Sequence, residues 1–308
     1  MSKRKNEEEF VDEIDIAIMR VIDGLRTAFE WVPESSIKEK LPYSPKIVSK
    51  RMQKIARLRL IRYTFVSHYG EWAAMLTERG FDTLALWDFK HHNVIETIGT
   101  EIGSGKEASI IGVLTPDKKW GIVKFHRMWA KEFQRIRKSL AYASIVVRGQ
   151  ELNLEDSKID IPRAKAQVEM HALQRLHSIG INVPRPLGIN RHAVAMEMIE
   201  WKNGIPAPQL VSIKLDNPSE VYEIVVSDYI RMVNEGKIVH GDFNEYNILV
   251  SPDGDLYYID FPQAVPVSYP SVKDLLVRDV YQINRYFGNK YRIKVIPEEE
   301  ILLKIKIE

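Results

Sequence analysis

Apolar residues recur at helical spacing near the start of the chain. Ile14, Ile18, Val21, Ile22, Leu25 and Phe29 mark one face of a helix over residues 15–31, and Pro33 lies where such a helix has to stop. A short helix over 36–41 follows. A third runs from Ser44 to about Leu58, with Pro45 at its first position and Ile47, Val48, Met52 and Ile55 on its inner face. The period then switches to two. Residues 61–66 and 71–76 read as the arms of a hairpin around Ser67-His68-Tyr69-Gly70, and a last helix runs from Thr77 to about Phe89. Three helices followed by a hairpin is the order of a winged helix, with the third helix as its recognition helix.

Beyond residue 90 the apolar runs are short and strand-like, and three clusters stand out. The first is Gly103-Ser104-Gly105-Lys106-Glu107, flanked by the apolar segments Val94–Ile98 and Ser109–Leu114. A glycine loop between two strands can fold over phosphates and offer them backbone N–H groups, but this segment by itself reads more simply as a plain hairpin turn. A Rossmann or Walker loop would instead open a helix, and Glu107 stands where the Walker pattern requires Ser or Thr. The second cluster is Trp120–His126, a strand with Lys124 in its apolar centre. A buried ammonium needs an anionic partner. Glu169 is the candidate, at the border of the stripe Val168, Ala172, Leu173, Leu176 and Ile179 on a helix over 164–176.

The third cluster is the most informative. A helix capped by Asn217, with Pro218 and Glu220 in its first turn, delivers the chain near Gly236 to His240-Gly-Asp-Phe-Asn-Glu-Tyr-Asn-Ile-Leu249. A hairpin around Pro252-Asp253-Gly254 then ends at Asp260. Mg2+ takes oxygen ligands, commonly one or two carboxylates plus substrate phosphates, and Asn247 and Asp260 suit it. Asp242, five residues before Asn247, suits the group that accepts a proton from, or aligns, an attacking hydroxyl.

Composition narrows the reading. The 308 residues contain no cysteine, which excludes disulfides, thiolate metal sites and Cys nucleophiles. The start, MSKRKNEEEF, is not of signal-peptide type, and no apolar run is long enough to span a bilayer, so a cytoplasmic protein with no membrane partner is expected. A net charge of +2 says little about partners, but Asp and Glu are absent from Lys40 to Arg62. Lys46, Lys50, Arg51, Lys54 and Arg57 on the third helix are therefore the candidate nucleic-acid-binding residues.

Glycine loop, strand lysine, helix glutamate, Asp-x4-Asn and Asp-Phe, in that order, form the protein-kinase-like signature. In detail, Gly103–Glu107, His240–Leu249 and Ile259-Asp-Phe-Pro-Gln263 resemble the RIO family of atypical serine/threonine kinases, and the winged helix together with Asp-Phe-Pro-Gln resembles its second subfamily. The resemblance implies an α+β chain: a winged-helix domain over 1–90, then a bilobal kinase-like RIO domain over 91–308. Its N-lobe would span 91–199 with a mobile insertion at 127–160, and its C-lobe 200–308. It implies that Gly103, Ser104, Gly105 and Lys106 hold the triphosphate, and that Lys124 binds phosphate oxygens and pairs with Glu169. Met196, Glu197 and Ile199 would belong to the adenine-binding hinge. Asp242 would be catalytic, Asn247 and Asp260 the metal ligands, and Asp279 a brace behind the catalytic loop. The implied cofactors are ATP and Mg2+, with Mn2+ as a substitute.

Departures from ordinary kinases sharpen the expectation. Pro262 replaces the glycine of Asp-Phe-Gly, and no Ala-Pro-Glu motif follows. A peptide-docking platform is therefore not expected. The resemblance implies instead a switch acting on a small-ribosomal-subunit precursor and its rRNA, by a monomeric chain, and makes Lys46, Lys50, Arg51, Lys54 and Arg57 candidate RNA-binding residues. The phospho-acceptor would be Asp260, as an acyl phosphate, or Ser139 or Ser144 of the insertion. Two rivals stay open at this point: a small-molecule phosphotransferase of the aminoglycoside or choline kinase type, and a nucleic-acid-binding scaffold with an inactive kinase domain.

Overall fold

The computed structural model describes residues 11–105, 107–127, 133–148 and 160–306. The chain divides into two compact units, Met1–His91 and His92–Glu308.

In the first unit, α1 (Glu13–Leu25), β1 (Val32–Pro33), α2 (Glu34–Glu39) and α3 (Pro45–Arg57) precede the hairpin β2 (Ile61–Val66) and β3 (Glu71–Leu76), and α4 (Glu78–His91) closes it. The antiparallel sheet has the order β1-β3-β2. Ile18, Ile22, Ile37, Met52 and Ile55 fill the core, so this is a winged helix. Helix α1 ends at Leu25 rather than near Trp31. The reason is β1: Val32 and Pro33 must be extended to pair with Ala74 and Ala73, and the chain uses the residues after Leu25 to leave the helix. Ile47, expected inside, is 44% exposed, and the inner face of α3 is Val48, Met52 and Ile55 alone.

The second unit opens with an antiparallel sheet of β4 (Thr97–Ser104), β5 (Ala108–Leu114), β6 (Trp120–His126), β7 (Pro186–Asn190) and β8 (Ala193–Glu197), in the order β4-β5-β6-β8-β7. Between β6 and β7 come α5 (Phe133–Arg148) and α6 (Ile161–Ser178). The short pair β9 (Glu200–Lys202) and β10 (Ile205–Pro206) leads to α7 (Pro218–Asn234) and β11 (Ile238–Val239). Next are the hairpin β12 (Ile248–Val250) and β13 (Leu256–Tyr258), then β14 (Val265–Pro266), α8 (Val272–Tyr291) and α9 (Glu298–Leu303). One apolar core runs from Val194 and Leu173 on the sheet side to Tyr229, Phe243 and Phe287 on the helical side. Asn217 does not cap α7 as expected; its side-chain amide donates to Glu220 Oε2 at 2.7 Å. Among the described residues, no helix is long and apolar enough to cross a membrane.

The expected insertion is helical where it is described. Leu140 and Ala143 of α5 lie in the core, and the Tyr142 hydroxyl donates to the Ser268 carbonyl at 3.2 Å. Ser144 is 3% exposed and its hydroxyl is turned onto the Ala141 carbonyl, so it is not an accessible phospho-acceptor. Ser139 is half-buried on the same helix.

Candidate active site

A cleft of about 850 Å³ lies between the five-stranded sheet and the β12–β13 hairpin. Its wall includes Gly103, Ser104, Gly105, Lys124, Glu169, Met196, Glu197, Ile199, Asp242, Asn247 and Asp260, so the structure brings together every expected nucleotide, catalytic and metal position it describes. Lys106 lies outside the described residues. The glycine segment is the turn of the β4–β5 hairpin, closed by the Gly105 N–H on the Ala108 carbonyl at 2.9 Å, and forms the roof.

Lys124 sits at the centre of β6, opposite Val194 of β8, with its side chain directed into the cleft. Its Nζ is 2.6 Å from Glu169 Oε1 and 2.6 Å from Asp260 Oδ1. Burial works against the ammonium, but the charges of Asp260 and Glu169 outweigh it and hold the pKa above the ordinary lysine range. Burial likewise works against the Glu169 carboxylate. Lys124 and His126 overcome it and bring the carboxyl down to about 2. His126 was not anticipated in the site. It is 1% exposed, with Nε2 2.7 Å from Glu169 Oε2. Burial pulls its pKa below the ordinary imidazole value, so the ring is neutral at pH 7 and Nε2–H donates to Glu169. Its Nδ1 is buried without a hydrogen-bond partner. The only signal for it in the sequence was its place two residues beyond Lys124, on the same face of the strand.

The catalytic loop is held from behind by Asp279 of α8, which is fully buried. Its Oδ2 accepts from the Gly241 N–H at 2.8 Å and from the Tyr229 hydroxyl at 3.0 Å, and its Oδ1 accepts from the Phe243 N–H at 3.2 Å. Gly241 has φ +79°, and a Cβ there would stand 2.6 Å from the Gln263 carbonyl oxygen, so the turn requires glycine. Buried His240 donates from Nε2 to the Ile259 carbonyl at 3.1 Å and accepts the Asp242 N–H on Nδ1 at 3.3 Å. The Asp242 carbonyl accepts the side-chain amides of Asn244 and Asn247, each at 2.9 Å. Asn247 thus spends its Nδ2 on the loop and keeps Oδ1 for a ligand. The Ile259 N–H on the Asn247 carbonyl, at 3.0 Å, fixes Asp260 beside Asn247.

An amide oxygen and one carboxylate are hard donors suited to Mg2+. Among the described residues, no three His, Cys, Asp or Glu side chains converge into a metal cage. The pair therefore fits an ion that brings other oxygen ligands with it, such as nucleotide phosphates. At the other end of the cleft, the N–H groups of Glu197 and Met198 are taken by the Arg185 and Trp120 carbonyls, which leaves the Ile199 N–H as a hinge donor for a purine.

In the first unit, Lys46, Lys50 and Arg57 are exposed along α3. Arg51 and Lys54 are not available in the same way. Arg51 Nη1 is 2.6 Å from Asp12 Oδ2, and Lys54 Nζ is 2.6 Å from Asp15 Oδ2, which is wholly buried. The expected five-residue basic face is reduced to three, because the acids that pair with the other two come from α1.

A family model described as the RIO domain matches residues 109–301. The serine/threonine-protein kinase rio2 of Schizosaccharomyces pombe is 32% identical over 244 residues, 79% of this chain and 67% of that protein. The RIO-type serine/threonine-protein kinase Rio2 of Methanocaldococcus jannaschii is 31% identical over 86% of this chain and 92% of its own length. Among solved structures, the Rio2 kinase–ADP/Mg2+–phosphoaspartate complex from Chaetomium thermophilum superposes with a TM-score of 0.76, covering 98% of this chain and 88% of that one at 22% identity, a likeness of fold.

Proposed function

The chain belongs to the RIO family of protein kinases, and we propose that it is an ATP- and Mg2+-dependent phosphotransferase whose turnover works as a switch on a small-ribosomal-subunit precursor. The observation that carries the catalytic part is the position of Lys124, shared between Glu169 and Asp260 at 2.6 Å each, beside an Asp242–Asn247 pair locked to the same hairpin. The adenine lies against the hinge and the triphosphate under the β4–β5 turn. Lys124 binds phosphate oxygens, and Asn247 Oδ1 and Asp260 hold Mg2+, which neutralises charge on the phosphates when bound. Asp242 orients the attacking oxygen and takes up its proton where it carries one.

The acceptor follows from what surrounds Asp260. The chain passes from Phe261 through β14 directly into α8, with no room for a peptide platform. Ser144 is buried. The Asp260 side chain is 38% exposed and lies in the cleft itself. A related fold has been solved with a phosphoaspartate, which favours the same product here. In this reading Asp260 attacks the γ-phosphorus, the bond to the β-γ bridging oxygen breaks and ADP leaves. Water then cleaves the acyl phosphate, releasing inorganic phosphate and restoring the carboxylate. With γ-labelled ATP, we expect label in free phosphate and in a hydroxylamine-sensitive acyl phosphate that maps to Asp260. Label predominantly in acid-stable phosphoserine would replace the switch by an ordinary protein kinase activity.

The partner reading rests on the family resemblance and on the exposed stripe of Lys46, Lys50 and Arg57. It makes the chain a cytoplasmic, monomeric RNA-contacting enzyme. Reversing these three residues to Glu should weaken binding to an rRNA fragment and lower the slope of log K against log salt by about 2. Filter binding across a salt series measures this. An unchanged slope would reduce the winged helix to a protein-docking module.

A further inference from the structure

The inner wall of the cleft holds a second lysine that neither motif nor resemblance marks. Lys165 lies on α6 one turn before Glu169, on the same helix face, and is 2% exposed. It lines the cleft together with Glu107 and His126. Its Nζ lies 4.0 Å from Glu107 Oε2.

Its position along the cleft can be read from strand register. The hinge end is fixed by Gly121 of β6 opposite Glu197; Lys124 comes next, and His126, opposite Ala108 of β5, is at the far end. The Arg127 N–H on the Glu107 carbonyl, at 2.8 Å, places Glu107 at that far end, and Lys165 with it. A nucleotide with its base at the hinge therefore runs past Lys124 toward Lys165. The last phosphate is the group that reaches it. Lys124 is already shared between two carboxylates at 2.6 Å, so it does not by itself answer the charge of a triphosphate. The partnerless Nδ1 of His126 is a second buried polar atom at the same end.

We infer that Lys165 is a second phosphate-binding lysine, which meets the terminal phosphate of a nucleoside triphosphate and so sets the preference for tri- over diphosphate. This rests on the reading of the cleft as the Mg-ATP site. Calorimetric titration of the full chain with Mg-ATP and with Mg-ADP tests it. Lys165→Met should weaken Mg-ATP binding about 10- to 100-fold and leave Mg-ADP within about twofold of the parent, and Lys165→Arg should recover most of the loss. Equal weakening of both nucleotides would make Lys165 a structural residue, and an unchanged ATP affinity would place it outside the phosphate path. Either result overturns the inference while the ATP reading stands. A parent chain that binds neither nucleotide overturns the ATP reading first. If Lys165→Met does not fold, as judged by its thermal melt, Lys165→Gln and Lys165→Arg carry the same comparison.

Discussion

Replacing Asp242 with Asn should lower the turnover of Mg-ATP by about 10²- to 10⁴-fold and leave ATP affinity within about twofold of the parent. Most of the bonds that position residue 242 involve its backbone. Its carbonyl takes the amides of Asn244 and Asn247, and its N–H is held by His240 Nδ1. Asparagine leaves all three in place. Among the described residues, the carboxylate itself is held by one long contact, 3.5 Å from Asn247 Nδ2 to Oδ2. The substitution is therefore nearly isosteric, and what disappears is the carboxylate oxygen that we propose aligns the attacking oxygen and takes up its proton where it carries one. Lys124, the hinge and the glycine turn are untouched, so binding survives. Single-turnover release of labelled phosphate, beside equilibrium ATP titration, separates the two quantities. A hydrolysis rate within a few-fold of the parent would remove Asp242 from the chemistry and revive the inactive scaffold.

The second large effect is expected at Asp279→Ala, a residue that does not line the cleft. The substitution orphans the Gly241 N–H, the Phe243 N–H and the Tyr229 hydroxyl in the interior. Leaving a buried donor unsatisfied costs about 1–3 kcal/mol, so a loss of roughly 3–5 kcal/mol in stability is expected. Burial holds the Asp279 pKa above the ordinary carboxylate value, although the Gly241 and Phe243 N–H groups and the Tyr229 hydroxyl work against it. The three donors nevertheless all point at its carboxylate oxygens. The loop cannot relax freely, because Gly241 is pressed against the Gln263 carbonyl. Turnover, measured where the variant remains folded, should fall about 10²-fold as Asp242 loses its register. Asp279→Asn keeps one acceptor oxygen and should recover part of both losses. Normal turnover in a destabilised Ala variant would make Asp279 a core residue without a role in positioning the loop.

Much of the site was legible because it is built from short-range patterns. The Lys124 strand, the Asp242-x4-Asn247 loop and the hairpin ending at Asp260 are contiguous segments whose spacing fixes local geometry whatever surrounds them. The α3–β2–β3 order was legible for the same reason: a helical period, a period of two, and Gly70 at φ +70° in the turn between the strands. Glu169 could be nominated because a buried lysine needs an anion, and α6 offers one at the edge of its apolar stripe.

What stayed hidden depends on residues far apart in the chain. Arg51 and Lys54 looked like nucleic-acid ligands because their own helix carries no acid. Asp12 and Asp15, 39 residues away from their respective partners, take them up only once α1 packs on α3. Ser144 looked like an accessible hydroxyl until α5 laid it against the core. Helix α1 stopped short of its periodic pattern because β1 needed Val32 and Pro33 for a strand pairing made with Ala74 and Ala73. Lys165 and His126 carry no motif, and they come together in the cleft only because α6 packs against β6. Periodicity and spacing along the chain decide which elements form and which chemistry each carries. Which charges neutralise one another, and which are left facing a ligand, is decided when the elements pack, because burial makes every unpaired charge costly and only the packed structure supplies the partner.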